Sequence, residues 1–413
     1  MSKLDEMIRE LCPDGVEYVK LGTLCSLITK QTGFDYTNHI KARLLMESTE
    51  NAVPYIQTKF FAGKNFNYQT DYYVPMDIVK QFPKITLDKK CILFSIVGAS
   101  IGNVGLFPGE RKCFLGGAIC VAKVLPQYDV DYIYYCVEAH NVQHQIRRKT
   151  KGAGQATITV EDIREFEIPL PPIEVQREIV RILDNFTDLT EDLTADLTAR
   201  QKQYAFYRNK LLTFGKTEGA RIERIPLGDI GSICMCKRIL KSQTNTVSGV
   251  PFYKIGTFGK EADAYISQET FDEYRSKYNF PKKGDVLISA AGTIGRTVVY
   301  DGKPAYFQDS NIVWIDNDES IVLNSYLRYC YELKPWKASE GGTIPRLYND
   351  NIAKAVIAVP SIEEQKRIVS ILDRFDAICN DLTSGLPAEI EARQKQYEYY
   401  RDKLLTFKEV AAT

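Results

Sequence analysis

The side chains best suited to binding chemistry in this sequence are basic and polar residues that gather in two regions. The first group, in and before a glycine-rich stretch, consists of Arg147, Arg148, Lys149, Lys151, Gln155 and Thr157. The second group, which ends in another glycine-rich stretch, consists of Lys237, Arg238, Lys241, Arg296, Lys337, Thr343 and Arg346. Lysine and arginine neutralise phosphates, whereas glutamine and arginine bind adenine and guanine edges through paired hydrogen bonds. The pattern predicts DNA binding, and solvated charge near a helix end is the alternative.

Three short patterns could instead hold a metal or cut a nucleic acid. They are the pair His140 and His144, the pair Cys234 and Cys236, and the acidic group Asp77 with Asp88-x-Lys90. Each pair needs further ligands from elsewhere in the chain, and an Asp-x-Lys triplet often arises by chance. Residue types alone support no Ser-His-Asp arrangement. The sequence therefore predicts no catalytic site and no metal site.

Two glycine-containing segments resemble phosphate-binding loops only superficially. Gly98-Ala-Ser-Ile-Gly102 and Gly292-Thr-Ile-Gly295 both follow an apolar run, but neither continues into the Gly-Lys-Ser/Thr that a nucleotide site requires. We expect them to form tight turns between strands.

Charge is unevenly distributed along the chain, although its 413 residues carry 53 basic and 53 acidic side chains. Residues 17–171 contain 18 basic and 15 acidic side chains, and residues 222–360 contain 17 basic and 16 acidic side chains.

Apolar residues make up 44% of the chain, which argues against a disordered protein. The ten cysteines are scattered without a Cys-x-x-Cys pair, and no run approaches the roughly 18 apolar residues of a membrane span. These features predict a cytoplasmic protein with reduced thiols and no membrane association.

The elements that position the basic groups are revealed by an internal repeat. Residues 199–214 and 392–407 are identical at 13 of 16 positions, and residues 174–186 match residues 363–375. In the first copy, Val175, Ile179, Ile182, Phe186 and Leu189 follow a heptad spacing that is typical of a helix packed on another helix. The repeat therefore predicts two long helices that pair as an antiparallel coiled coil.

Local signals mark the ends of these helices. The first is expected to begin after Pro171-Pro172, and the second begins with Ser361 and Glu364 in a capping box. Three tandem Asp-Leu-Thr tetrads between residues 188 and 199 indicate a spacer in the first helix, or a plain surface repeat. Ser384-Gly385-Leu386-Pro387 should break the second helix, which we expect to resume near Ala388.

The stretches before the helices diverge in sequence and mix short β-like runs with turns. They also contain expected helices at Val130–Arg147 and Asn324–Leu333. The predicted fold class is α+β, with two mixed α/β globules alternating with the two helices. The expected divisions are an N-terminal segment (1–16), variable region 1 (17–171), a first helical region (172–221), variable region 2 (222–360) and a second helical region (361–413).

The order of these motifs resembles that of the specificity subunit of a Type I restriction-modification system. The residues that carry the resemblance are Pro169-Leu-Pro-Pro-Ile-Glu-Val-Gln176, Val359-Pro-Ser-Ile-Glu-Glu-Gln365, the Leu-Gly pairs at 21 and 227, Gly-Thr-Ile-Gly295, and the two Tyr-Arg-x-Lys-Leu-Leu-Thr-Phe blocks. The resemblance covers essentially the whole chain. The first half departs from the pattern at Val175, where the second Glu of Glu-Glu-Gln is expected, and in its longer glycine turn.

The resemblance implies that each variable region is a target recognition domain for one half of a split, asymmetric site in double-stranded DNA. It implies that the helices space these domains and dock two modification (methyltransferase) subunits. S-adenosylmethionine, ATP and Mg²⁺ are then expected on the modification and restriction/translocase subunits, and this chain is expected to be non-catalytic with no cofactor. A helical scaffold that binds two identical protein partners without contacting DNA is the alternative, and a self-sufficient nuclease is a third.

Overall fold

The chain divides into two structural units, which are described separately. A computed structural model describes residues 3–150, 156–214, 222–337, 346–381 and 383–410. The first unit comprises residues 1–193 and 390–413, and the second comprises residues 194–389. Because the division falls inside one continuous helix, each unit combines a variable region with parts of both helical regions.

The first unit is a mixed α/β assembly. Its helices are α1 (Lys3–Leu11), α2 (Leu21–Leu24), α3 (Gly33–Asp35), α4 (Met76–Gln81), α5 (Val130–Glu138), α6 (His140–Lys149), α7 (Val160–Arg164) and the start of α8 (Ile173–Thr213). Its strands are β1 (Tyr18–Lys20), β2 (Cys25–Lys30), β3 (Ala52–Ile56), β4 (Phe61–Ala62), β5 (Asn65–Phe66), β6 (Tyr73–Pro75), β7 (Thr86–Leu87), β8 (Cys91–Ser95), β9 (Val104–Phe107), β10 (Cys113–Leu115), β11 (Ile119–Val124) and β12 (Glu167–Pro169).

The second unit repeats this composition. Its helices are the end of α8, α9 (Leu227–Ile230), α10 (Gln268–Lys277), α11 (Asn324–Glu332), α12 (Asn349–Ala353), α13 (Ile362–Asn380) and the start of α14 (Leu386–Leu404), most of which belongs to the first unit. Its strands are β13 (Glu223–Pro226), β14 (Gly231–Cys234), β15 (Thr244–Asn245), β16 (Val250–Tyr253), β17 (Tyr265–Ile266), β18 (Val286–Ser289), β19 (Thr297–Val299), β20 (Tyr306–Phe307), β21 (Ile312–Asn317) and β22 (Val356–Val359).

The two units share their sheet topology. An antiparallel sheet has the order β2-β11-β8-β9 in the first unit and β14-β21-β18-β19 in the second. A second sheet contains one parallel pair in each unit, β3 with β10 and β16 with β20. The strand at the start of each variable region pairs with the strand at its end, β1 with β12 and β13 with β22. The predicted α+β class and the internal repeat are confirmed.

The central strands of the antiparallel sheets are buried on both faces. Along β8, Ile92 and Phe94 belong to one core cluster, whereas Cys91 and Leu93 belong to another. Successive side chains of a strand point to opposite faces, so a strand between two cores has no polar face. This explains why the repeated runs that begin at residues 92 and 286 are apolar without alternation.

The helical regions pack antiparallel within each unit. In the first unit the rings of Phe186 and Tyr400 stack with their centroids 5.5 Å apart. In the second unit Tyr207 stacks on Phe375 at 5.9 Å. Further along the same pair of helices, burial raises the pKa of the Cys379 thiol and the nearby Arg200 guanidinium opposes that rise. The predicted antiparallel pairing of the repeated helices is therefore present in both units.

The heptad pattern predicts the buried face of α8 only in part. Val175 and Ile179 are fully buried, but Leu189 is 40% exposed and Leu183, which lies off the predicted seam, is fully buried. The reason is that this part of α8 also packs on variable region 1, so its buried face follows the combined surface of that region and α14.

The break in the second helical region occurs where its sequence predicts. Helix α13 ends at Asn380 and α14 begins at Leu386, two residues before the expected restart. Pro387 occupies the first turn of α14, where its missing N–H costs nothing. At the start of α13 the Ser361 hydroxyl accepts from the Glu364 N–H, as expected, but the Glu364 carboxylate binds Arg367 instead of completing the capping box.

The single helix expected over residues 130–147 is wrong, because the chain forms two helices there. Ala139 between α5 and α6 is extended, with ψ of 155°. The N–H of His140, which the bend releases from the helix ladder, donates to the Asp402 carboxylate at 3.0 Å. A hydrogen bond to a residue 262 positions away in the sequence thus stabilises a bend that local sequence signals do not predict.

One buried glutamine holds the start of each long helix. Gln176 Nε2 donates to the Pro171 carbonyl at 2.8 Å, and its Oε1 accepts from the Asp129 N–H at 3.3 Å. Gln365 does the same with the Pro360 carbonyl and the Leu323 N–H, both at 2.9 Å. Each glutamine therefore joins the helix start to the loop that precedes α5 or α11.

The chain's N-terminal piece lies against its C-terminal residues within the first unit. The Val16 N–H donates to the Lys408 carbonyl at 2.8 Å, and the Val410 N–H donates to the Val16 carbonyl. Leu4 joins the same core cluster as Leu405. Over the described part of the chain, no helix has the length and apolarity to cross a membrane.

Replacing Gln365 with alanine should destabilise the second unit by about 1–3 kcal/mol. It leaves the Leu323 N–H and the carbonyls of Pro360 and Ile321 without their partner. Urea denaturation followed by circular dichroism measures the effect. Glu363→Ala, at an exposed position in the same helical turn, should change stability by less than about 0.5 kcal/mol. Equal losses in the two variants would contradict the role assigned to the glutamine.

Candidate nucleic-acid interface

A glycine turn projects from the central sheet at the same place in each unit. It joins β8 to β9 and β18 to β19, as predicted. The glycines have positive φ angles of 79° and 93° at Gly98 and Gly102, and of 64° and 77° at Gly292 and Gly295. Other residues rarely adopt this conformation. A Cβ atom on Gly295 would also lie 3.1 Å from the Trp336 ring, a tight contact that would push the ring aside by a few tenths of an ångström.

The segment after each glycine-rich stretch runs beside this turn. The Ile158 N–H donates to the Ile96 carbonyl at 3.1 Å, and the Leu347 N–H donates to the Ala290 carbonyl at 2.8 Å. Thr157 and Arg346 precede these two residues and therefore occupy matching places in the two units. Thr157 is exposed, and Arg346 is half-buried.

In the second unit, two predicted arginines meet on one loop. Arg238 Nε lies 2.8 Å from Asp309 Oδ2, and Arg346 Nη2 lies 3.2 Å from both Ser310 Oγ and Asn311 Oδ1. Ser310 has a φ of 55°, an unusual value for a residue with a side chain. Strain of this kind persists only where surrounding contacts hold it, and it concentrates at functional sites. The loop 309–311 thus positions one exposed and one half-buried guanidinium.

The remaining residues of the second group are more dispersed. Lys237, Lys241 and Lys337 are exposed, and the Lys237 ammonium lies 5.0 Å from the centre of the Tyr278 ring. Arg296 is different, because its guanidinium donates to the Phe258 carbonyl at 2.8 Å. That bond joins the glycine turn to the loop that contains Phe258, so the Arg296 side chain stabilises the turn.

In the first unit, the basic cluster lies in the last turn of α6. Arg147 and Arg148 are exposed, and Lys149 is half-buried. The C-terminal end of a helix favours cations through its dipole. Arg148 and Lys149 also line a surface cavity of about 560 Å³ with Glu165 and Glu167. A hydrogen bond from Lys20 lowers the pKa of Glu165, so this carboxylate is charged at neutral pH.

Three predicted contact residues, Lys151, Gln155 and Thr343, lie outside the described residues. Ala156 and Arg346, which follow the two undescribed stretches, lie beside the glycine turns: the Gly98 N–H donates to the Ala156 carbonyl at 3.0 Å, and Arg346 precedes Leu347.

The patterns that suggested other chemistry have ordinary partners. The rings of His140 and His144 stack at 6.5 Å, and burial raises the pKa of Cys236 to about 12. Asp77 pairs with Arg43 at 2.7 Å, and Lys90 pairs with Asp131 at 2.5 Å. Among the residues the structure describes, no group of three or more His, Cys, Asp or Glu side chains is arranged to hold a metal.

Sequence reasoning missed a repeated motif in the helices that attach each variable region to the long helices. Residues 132–138 read YIYYCVE and residues 326–332 read YLRYCYE, identical at four of seven positions. Tyr132 Oη donates to the Pro169 carbonyl at 3.0 Å, and Tyr326 Oη donates to the Ala358 carbonyl at 2.9 Å. The two motifs begin 194 residues apart, as do the two glycine turns. This shared separation is the sequence signal that could have identified the motifs.

A second missed feature is an exposed aromatic side chain within the repeated block. Phe206 and Tyr399 occupy the same position in the two copies and are 63% and 61% exposed. Each lies edge-on to the next ring, Tyr207 or Tyr400. Exposed lysines lie four residues on either side: Lys202 and Lys210 in the first copy, Lys395 and Lys403 in the second. We call these two sets the repeated aromatic faces.

A family model described as the Type I restriction modification DNA specificity domain matches residues 13–200 and 221–392. A putative type I restriction enzyme specificity subunit of Haemophilus influenzae is 56% identical over 264 residues, which cover 62% of this chain and 68% of that protein. The EcoR124I/EcoR124II specificity subunit of Escherichia coli is 31% identical over 271 residues, which cover 59% and 63%.

Two solved structures share the fold. One, from work on complex assembly and conformational transition of the type I R-M system, has a TM-score of 0.61 and 19% identity, covering 96% of this chain and 98% of that one. The other is the S subunit of a type I restriction-modification system from M. genitalium, with a TM-score of 0.53 and 16% identity over 95% and 96% of the two chains.

Proposed function

Because the chain belongs to the Type I restriction modification DNA specificity family, we propose that each of its variable regions binds one half of a two-part, asymmetric DNA site. The observation that carries the proposal is the combination of repeated architecture with divergent surface chemistry. Thr157 and Arg346 occupy matching places beside the two glycine turns, yet one carries a hydroxyl and the other a guanidinium. Two copies of one framework with different side chains suit two different half-sites.

The charges near the turns support contact with the DNA backbone. Arg147, Arg148, Lys237 and Lys241 are exposed and suited to phosphates, which position a protein on DNA without reporting sequence. Arg346, held beside the strained Ser310, is suited to a base edge because its guanidinium is already oriented. We assign the first set to affinity. We assign specificity to Arg346 and Thr343 in variable region 2 and to Gln155 in variable region 1.

The proposed division of labour gives this chain recognition and leaves catalysis to its partners. We propose that modification subunits bind S-adenosylmethionine and methylate adenine, and that restriction/translocase subunits use ATP and Mg²⁺. The ordinary ion pairs of Asp77 and Lys90 support a non-catalytic chain. The buried thiols, with pKa values raised by desolvation, suit the reducing cytoplasm in which such a complex would act.

The repeated aromatic faces are the proposed docking sites for two identical modification subunits. An exposed aromatic ring flanked by lysines offers apolar area and positive charge, so a partner surface with apolar and acidic side chains fits it. Because the faces are nearly identical while the variable regions differ, the same partner is expected at both.

Exchanging residues 17–171 for those of a relative with a different target tests the division of the site. Only one half of the recognised sequence should change, because the glycine turn and α6 of variable region 1 contact one half-site alone. Sequencing the methylated positions in cells that express the hybrid measures the outcome. A change in both halves would contradict the two-domain proposal.

Replacing Arg147 and Arg148 with alanine should weaken binding to DNA of any sequence. Loss of two phosphate contacts should flatten the slope of log K against log salt by about 1.8, because each contact contributes about 0.9. Fluorescence anisotropy of labelled DNA between 50 and 200 mM salt, with the modification partner present, gives the slope. The matched control is Lys366→Ala with Arg374→Ala, two exposed cations on α13. An equal flattening of the slope in both double variants would show that net charge, and not contact of Arg147 and Arg148 with phosphates, causes the effect.

Truncating one repeated aromatic face should remove one partner and leave the other. Phe206→Ala and Tyr399→Ala should each lower the number of bound modification subunits from two to one, and the double variant should bind none at the same concentration. Mass measurement of the assembled complex counts the subunits. Val247→Ala, at an 85% exposed apolar position in variable region 2, should keep both. Two subunits bound to the double variant would place the docking sites elsewhere.

A further inference from the structure

The same set of polar contacts joins the variable region to the long helices in both units. In the first unit, Glu138 at the end of α5 accepts from the Tyr397 hydroxyl at 2.7 Å and from the Tyr134 hydroxyl at 2.8 Å. Arg401 Nη1 lies 3.8 Å from the same carboxylate. Tyr397 and Arg401 both belong to the repeated block in α14.

In the second unit, Glu332 at the end of α11 takes the place of Glu138. It accepts from the Tyr204 hydroxyl at 2.8 Å and forms an ion pair with Arg208 Nη1 at 2.9 Å. Tyr204 and Arg208 are the counterparts of Tyr397 and Arg401 in the repeat. In both units the guanidinium carbon lies 5.4 Å from the centre of the tyrosine ring. We call each set of glutamate, tyrosine and arginine a carboxylate clamp.

A second contact lies one turn earlier on the same face of each short helix. Tyr135 Oη donates to Asp184 Oδ1 at 2.6 Å, and Tyr329 Oη donates to Asp373. Asp184 and Asp373 lie on the first part of the long helices α8 and α13. Each variable region is therefore attached at two points, three residues apart, to two different helical segments of its own unit.

The clamps combine charge, burial and fixed geometry. The side chains of Arg401 and Glu138 are 12% and 24% exposed, and those of Arg208 and Glu332 are 21% and 25% exposed. Hydrogen bonds to ionised groups are stronger and more directional than neutral ones. Burial raises the pKa of Tyr204 and of Tyr397, so both hydroxyls keep their protons and remain donors near neutral pH.

Two points of attachment fix rotation as well as position. Contacts at i and i+3 lie on one face of a helix, so these two polar contacts add direction to a helix whose other residues are already packed in the core. Stability alone does not require the same contacts twice in units whose variable regions diverge elsewhere. The arrangement does suit a chain that must hold each of two different DNA-binding domains in a fixed orientation on its own helices.

We propose that Glu138 and Glu332 are positioning residues that set the orientation of each variable region on its helices, and thereby the half-site separation that the chain accepts. The inference rests on the proposed DNA-binding function. The carboxylates do not contact DNA; they determine where the bases that each variable region selects must lie.

The test is binding of the complex of this chain with its modification partner to duplexes that keep both half-sites and vary the spacer by one and two base pairs. Genome-wide mapping of methylated positions supplies the native site. Glu332→Gln and Glu138→Gln preserve shape and the tyrosine hydrogen bond but remove the charge opposite arginine. Each should lower the ratio of Kd on an altered spacer to Kd on the native spacer by about threefold or more. The penalty for a base change inside either half-site should stay the same.

Two further variants separate positioning from stability. Tyr204→Phe removes only the hydroxyl and should also lower the spacer ratio, which keeps the test available if the glutamine variants fold poorly. Val313→Ala, in the buried core of the second unit, is the control, because it should lower thermal stability without altering either clamp. An equal change of spacer ratio in that control, or unchanged ratios in all three clamp variants, would overturn the inference. If the complex that contains the unsubstituted chain shows no preference for a two-part site, the proposed DNA-binding function is wrong, and the inference about the clamps is not the part that fails.

Discussion

Helix α8 carries an apolar stripe that it can bury only by packing in two different places. Val175 and Ile179 enter the core of the first unit, whereas Tyr204 and Leu212 enter that of the second. Helices of this kind are stabilised mainly by tertiary packing of the apolar face, since propensity alone contributes little. In each unit the burial is completed by a segment of the other helical region, α14 or α13. The first unit is therefore formed by two separate pieces of chain, residues 1–193 and 390–413, whereas the second is the continuous stretch 194–389.

This constraint explains why the repeated residues are where they are. The blocks with the highest internal identity contain Tyr204, Arg208, Tyr397 and Arg401. Each of these residues contacts the variable region of its own unit. Gln176 and Gln365 are repeated because each satisfies a loop N–H and a carbonyl at a helix start. Substitution at any of these positions would leave buried polar groups without partners. The exposed edges of the variable regions carry no such requirement and have diverged.

The sequence predicted the elements whose signals are local. The glycine turns lie where the glycines are, and α13 ends before Gly385 and Pro387. The fold class and the antiparallel helical pairing followed from the repeat. Of the candidate site, the sequence identified the residue types, and the structure added their grouping: Arg238 and Arg346 share one loop, whereas Arg296 is held inside its turn.

The sequence by itself determined that the chain is a duplicated α+β protein with two divergent and two nearly identical parts, because identity between copies is visible without coordinates. Only the tertiary structure decided the bend at Ala139, the burial of Leu183 in place of Leu189 and the two carboxylate clamps. Each of these depends on groups far apart in sequence, such as His140 with Asp402 or Glu138 with Tyr397. Periodicity and propensity depend only on residues that are close in sequence. Contacts between residues far apart in sequence are decided by tertiary packing.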